Sequence, residues 1–120
     1  MKILGLDHIQ VAIPPDGEDQ ARRFYGGVLG LAEIPKPPDL AVRGGLWFEC
    51  GSQQLHLGVE MDFRPARKAH PALLVDGLVD LMGTLADAGC VVKPGESLPG
   101  VRRCFVDDPF GNRIELMEHE

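Results

Sequence analysis

The order of apolar periodicities runs through the chain twice, and this repeat limits the fold more than any single motif. Residues 3 to 13, ILGLDHIQVAI, alternate apolar and polar as a half-buried strand does, and stop at Pro14-Pro15. QARRFYGGVLG then places Ala21, Phe24, Val28 and Leu29 at helical spacing, with Asp16 or Asp19 as the expected cap and Gly30 as the stop. LAEIP reads as a short strand and KPPD as a loop. GLWFEC and QLHLGVE flank Gly51-Ser52 in the pattern of a hairpin. After the basic stretch FRPARK the series restarts. HPALLV is a strand, and DGLVDLMGTLADAG is an amphipathic helix with Leu78, Leu81, Met82, Leu85 and Ala86 on one side. Asp76 is its expected cap and Gly89 its stop. CVVKP, VRRCFV and NRIELME are strands, the last two joined through DDPFG.

The reading is therefore β-α-β-β-β twice within one domain of residues 1 to 120, as modules of residues 1 to 62 and 63 to 120. His8 precedes Gly30 by 22 residues and His70 precedes Gly89 by 19; His8 to His56 spans 48 residues and His70 to Glu115 spans 45. Two copies of one unit, differing by a few loop residues, account for this agreement.

Strand alternation gives each polar candidate a face. Ile9, Val11 and Ile13 share the apolar side of the first strand, which leaves His8, Gln10 and Ala12 opposite. Leu55, Leu57 and Val59 similarly leave Gln54, His56 and Gly58. Ile114 and Leu116 leave Arg113, Glu115 and Met117. If Leu73 and Val75 face the helix, His70 shares a face with Ala72 and Leu74. Each module thus offers an early histidine and a late histidine or carboxylate on the face away from its helix. Imidazole and carboxylate are donors suited to Zn, Ni, Mn, Co or Fe(II), so His8, His56, His70 and Glu115 form a candidate metal set. Phe48 shares the phase of Leu46 and Cys50 and belongs to the core, as do Phe24 and Tyr25. Arg102 and Arg103, next to the last hairpin, read as a solvated strand edge in preference to a receiving site for an anionic substrate. FRPARK reads either as a loop closing over a carboxylate or phosphate ligand or as a linker.

Composition excludes several classes. With 12 basic and 18 acidic residues the formal charge is −6, which argues against a nucleic-acid-tracking surface. No apolar run is long enough for a membrane span, and the N-terminus lacks a signal-type apolar core. The three cysteines, Cys50, Cys90 and Cys104, have no CxxC spacing and read as free buried thiols. A cytoplasmic protein acting on a small molecule is the expectation.

The segments LDHIQVAI, QLHLGVE, HPALLV and above all DPFGNRIELME resemble the signature segments of the vicinal oxygen chelate superfamily. That group includes glyoxalase I, fosfomycin-resistance and bleomycin-resistance proteins, methylmalonyl-CoA epimerase and extradiol dioxygenases. The resemblance covers essentially the whole chain. It implies an α+β fold of paired βαβββ modules forming an incomplete barrel around a metal cleft, and a homodimer. By motif position His8, His70 and Glu115 match the three shared ligand places. His56 falls where glyoxalase I has a metal-binding glutamate that is also a candidate proton acceptor, so an imidazole there is a departure. Glu115 and His56 are the implied catalytic groups.

The resemblance implies a metal-dependent lyase, isomerase or ring-cleaving oxygenase, acting on a small substrate chelated through neighbouring oxygens. Two further readings compete. A fosfomycin-type thiol transferase would have threonine where Gln10 stands, and a bleomycin-resistance-type binding protein would lack the candidate ligands.

Overall fold

The computed structural model describes Met1–Glu120, which divide into two compact units, Met1–Arg64 and Pro65–Glu120. Each is a four-stranded mixed sheet with little helix, and neither sheet closes into a barrel. The fold is α+β, with the βαβββ element order in each unit. No helix is long and apolar enough to cross a membrane.

The first unit contains β1 (His8–Ile13), α1 (Glu18–Ala21), β2 (Glu33–Ile34), α2 (Pro38–Ala41), β3 (Leu46–Cys50) and β4 (Gln53–Val59). The sheet order is β1-β4-β3-β2, with β1 parallel to β4 and the other pairs antiparallel. Its core is the inward phase of these strands, Val11, Ile13, Leu46, Phe48, Leu55 and Leu57, packed with Ala21, Phe24 and Tyr25. Burying side chains of this size stabilises by roughly 1.5–3 kcal/mol each.

The first helix departs from the sequence expectation. After α1 it continues as a π-helical stretch, Arg22–Val28, in which the Leu29 amide donates to the Phe24 carbonyl at 2.9 Å. The wider turn seats Phe24 and Tyr25, which touch edge to face with ring centroids 5.0 Å apart. Gly17 is the cap, with no side-chain hydrogen bond, so neither Asp16 nor Asp19 caps. Glu18 of the first turn instead accepts the Gly45 amide at 3.2 Å. Gly45 has φ of 84° and lies so close to the Leu57 carbonyl that a Cβ would collide at 2.2 Å, so only glycine suits this entry to β3. KPPD is not all loop, since Pro38 opens α2 from the first helical position, where a missing N–H costs nothing.

The second unit contains β5 (Ala72–Leu74), α3 (Leu78–Asp87), β6 (Lys93–Pro94), β7 (Val101–Asp107) and β8 (Arg113–His119), in sheet order β5-β8-β7-β6. Leu78, Leu85, Cys104, Val106, Ile114 and Leu116 form its core, whereas Ala86 is exposed. Asp76 does not cap α3. The cap is Gly77, and the amides of Gly77 and Leu78 donate to the Glu118 carboxylate of β8. Asn112, fully buried, bonds Asp108 through its side-chain amide and accepts the Ala66 amide at 2.9 Å, which ties the start of this unit to the turn before β8.

Candidate functional site

In the second unit the register brings the polar candidates onto one face. Ala72 of β5 and Phe105 of β7 both lie opposite Glu115 of β8, and Arg103 lies opposite Met117. His70, two residues before Ala72, shares its phase. Glu115 is only 5% exposed. A buried carboxylate is tolerated only when paired, and both of its oxygens are engaged. Oε1 is 3.0 Å from His70 Nε2, and Oε2 accepts from Arg103 Nη1 at 3.3 Å. Arg103 is fixed in turn by Nε donating to the Glu96 carbonyl at 3.0 Å.

The proton inventory of the His70–Glu115 contact bears on a metal. His70 Nδ1 is 2.8 Å from the Lys68 carbonyl, which can only accept, so Nδ1 carries the hydrogen. A neutral ring then turns the Nε2 lone pair toward a carboxylate oxygen, and that contact requires a proton or a cation between the two atoms. Donors adjacent on one ion, with metal–nitrogen and metal–oxygen bonds of about 2.0–2.2 Å at near right angles, stand about 3 Å apart. The observed spacing, and the carbonyl that orients the far ring nitrogen, fit a metal-binding pair.

In the first unit the corresponding face carries rings. Trp47 lies opposite His56, and Gln10 faces it from β1. Trp47 stacks on His56 with centroids 4.3 Å apart at 10°, and His8 stacks on the other side at 4.1 Å and 17°. His56 is 6% exposed. Its Nε2 is bonded to Gln54 Oε1 at 2.8 Å, and His8 Nδ1 to Asp7 at 2.9 Å. Burial, followed by the neighbouring His8 and Lys36, holds the His56 pKa below the usual imidazole value, with Asp7 opposing. His56 is therefore the neutral form near neutral pH, with a lone pair left on Nδ1 in this amide orientation.

Each face opens into a cavity. That of the first unit, about 560 Å³, is lined by Lys36, Arg43 and Gln10 around the stacked rings. That of the second, about 820 Å³, surrounds His70 and Glu115 and carries Arg67, Lys68, Lys93, Arg103 and Arg113. Within each unit the expected ligands come together as a pair, His8 with His56 and His70 with Glu115. Neither unit by itself gathers three His, Cys, Asp or Glu groups able to hold an ion.

Two groups were not among the expected site residues. Arg103 is not a solvated strand edge. Its side chain is 18% exposed and is spent on Glu115, whereas Arg102 points outward and only approaches Glu120 at 3.8 Å. The signal was the shared phase of Arg103 and Phe105, readable only once Phe105 is known to face Glu115. Arg113 lies with its guanidinium 4.0 Å over the Phe105 ring. The three cysteines are free, and burial raises the thiol pKa of Cys50 and Cys104.

Comparison with known proteins places this architecture. The whole chain superposes on a protein from Bacillus anthracis described as glyoxalase family, with a TM-score of 0.95, 48% identity and 98% of that chain covered. A glyoxalase/dioxygenase from Nostoc punctiforme matches with a TM-score of 0.78 and 21% identity over 98% of this chain and 92% of its own. A lactoylglutathione lyase from Agrobacterium tumefaciens matches at 0.74 and 20% over 98% and 96%. The last two testify to the fold. No family model and no curated protein matches the sequence. Two βαβββ units carrying histidine and carboxylate on their open faces define a vicinal oxygen chelate protein. Within that superfamily, the chain belongs to the glyoxalase family.

Proposed function

We propose that the protein is a divalent-metal-dependent enzyme whose metal is held by His70 and Glu115, with His8 and His56 as the further donors, and that it acts on a small substrate through two neighbouring oxygens. The observation that carries this reading is the 3.0 Å approach of His70 Nε2 to Glu115 Oε1, with the other ring nitrogen committed to a carbonyl. When bound, the ion supplies Lewis-acid polarisation of the substrate's oxygens. The chain's own groups do the rest. Arg103 holds Glu115 in place through Oε2, and the Lys68 carbonyl fixes the tautomer of His70. His56, neutral and held between two rings, has a single available lone pair, at Nδ1, and accepts a proton there only when that nitrogen is not bound to the ion. An imidazole in this place favours a lyase, isomerase or oxygenase other than glyoxalase I itself.

The protein is proposed to work as a homodimer. β1 and β5 are edge strands, and Ile3, Leu4, Leu6 and Leu74 stand exposed along or ahead of them, a pattern that invites pairing with a second copy.

The test is metal uptake. Zn, Ni, Mn, Co or Fe(II) should raise the melting temperature of EDTA-treated protein, and His70→Ala and Glu115→Gln should each weaken uptake about 100-fold or more. His8→Ala and His56→Ala should weaken it less. Protein that retains no metal on purification and gains no stability from any of the five ions would sink the reading. The metal-loaded form would then be screened against thiol adducts of α-keto aldehydes, catechols and fosfomycin.

A further inference from the structure

The cavity of the second unit has a charge that the whole chain does not. Of 12 basic residues against 18 acidic ones in the sequence, five line this one cavity: Arg67, Lys68, Lys93, Arg103 and Arg113. Only three carboxylates, Glu96, Asp107 and Glu115, face them. Arg103 is already committed to Glu115 and to the Glu96 carbonyl. The other four cations have no carboxylate within ion-pair distance, although Asp107 is the direct cross-strand neighbour of Arg113. Excess charge gathered in a concave site repels itself and is stabilised when an anion enters.

Arg113 is the best prepared of the four. Phe105 supports its guanidinium from one side at 4.0 Å, which restrains the side chain while leaving the planar fork without a partner. A fork restrained in this way suits two parallel hydrogen bonds to a carboxylate, phosphate or phosphonate. The same Phe105 ring meets His70 edge-on at 5.5 Å, so one residue spaces the fork from the His70–Glu115 pair. Lys93, across from Phe105 on β6, and Arg67 and Lys68, from the stretch ahead of β5, come to the same cavity from two other segments.

We infer that the second unit's cavity is an anion subsite, in which Arg113, assisted by Lys93 and by Arg67 and Lys68, receives a carboxylate or phosphate-type group of the substrate. The inference deepens the metal reading and rests on it for what the anion lies beside. The substrate class is then a small acid with its charged group next to the oxygens presented at His70 and Glu115.

Titration of ¹⁵N-labelled protein with methylphosphonate, inorganic phosphate and acetate at constant ionic strength tests this. The runs are made on both EDTA-treated and metal-loaded protein. Amide signals of residues 67 to 70, of Lys93, Gly95 and Glu96, and of Arg113 should move, and in the EDTA-treated protein those of residues 1 to 64 should not. Arg113→Gln and Lys93→Gln should each weaken binding about tenfold, the effect of losing one charge-assisted contact. Arg23→Gln, on the exposed surface of the first unit, should leave it unchanged. Lys93 is exposed on a two-residue strand, so its variant keeps the test valid should Arg113→Gln not fold. Saturation by acetate but not the phosphorus anions assigns a carboxylate, and the reverse assigns a phosphate or phosphonate. No movement with any of the three anions in either form overturns the inference, as does binding that both charge-removing variants retain in full. Anion uptake without metal uptake keeps the subsite and removes the metal reading; metal uptake without anion uptake removes the subsite alone.

Discussion

The two units share a wiring diagram down to single cross-strand partners, yet the same places hold different chemistry. Gln10 faces His56 across a parallel pair in the first, and Ala72 faces Glu115 across the matching pair in the second. Trp47 lies opposite His56, and Phe105 opposite Glu115. His56 is covered on both faces by rings and kept neutral. Glu115, equally buried, is held by His70 and Arg103. Register is thus what the two halves have in common. It fixes which residues meet on the open face, while the residues themselves set one face up as a neutral aromatic stack and the other as a paired carboxylate among cations.

The strongest way to break this comparison is through the two cores. Leu57 and Leu116 sit at matching places, each in the second of its sheet's two parallel strands and each about 1% exposed. Leu57→Ala and Leu116→Ala should each cost about 2–5 kcal/mol, the range for emptying a buried leucine site. Hydrogen exchange adds the sharper result. If each unit has its own core, Leu57→Ala should speed exchange in β1, β3 and β4 and spare β7 and β8, and Leu116→Ala should do the reverse. Equal loss of protection across both sheets would show that the units unfold as one body.

Arg103 tests the chemical difference. The place beside the first unit's site that matches it is Gly45, and His56 needs no counter-ion there because it is neutral. Arg103→Met leaves Glu115 with His70 as its one partner and should cost about 1.5–3 kcal/mol, the value of a hydrogen bond to a charged group. Urea unfolding of Arg103→Met, Glu115→Gln and the double variant separates this from lost packing. If Arg103→Met costs as much with Gln at 115 as with Glu, the ion pair is not what stabilises Glu115.

Period-two alternation was enough to place His8, His56 and Glu115 on open faces, and the repeated spacing was enough to give the order of elements apart from α2, which begins within KPPD. Both are local patterns, and local patterns survive in sequence. What was not legible depended on partners distant along the chain. Arg103 looked like a solvated edge because its carboxylate lies 12 residues on, across a hairpin. His56 gave no sign of being stacked, since Trp47 and His8 reach it from two other strands. The π-helical widening after α1 has no composition that marks it, because it serves the seating of Phe24 and Tyr25 against the sheet.

The start of α3 gives the smallest and cleanest test of the same point. Sequence proximity favours Asp76, a good capping residue standing just ahead of the helix. Gly77, however, takes φ of 89° and ψ of 48°, and this turn puts its own amide and that of Leu78 toward β8, where Glu118 accepts both. A carboxylate there satisfies two amides the helix cannot bond internally and complements the positive end of its dipole. The first unit has no such arrangement, since Glu18 at the start of α1 is turned to Gly45. Glu118→Gln should therefore lower stability by about 1 kcal/mol, with faster exchange confined to the first turn of α3. Asp76→Ala should stay within about 0.5 kcal/mol of the parent, as surface changes without a partner do. Were Asp76→Ala the costlier of the two in urea, the cap would be local after all, and this difference between the helices would disappear.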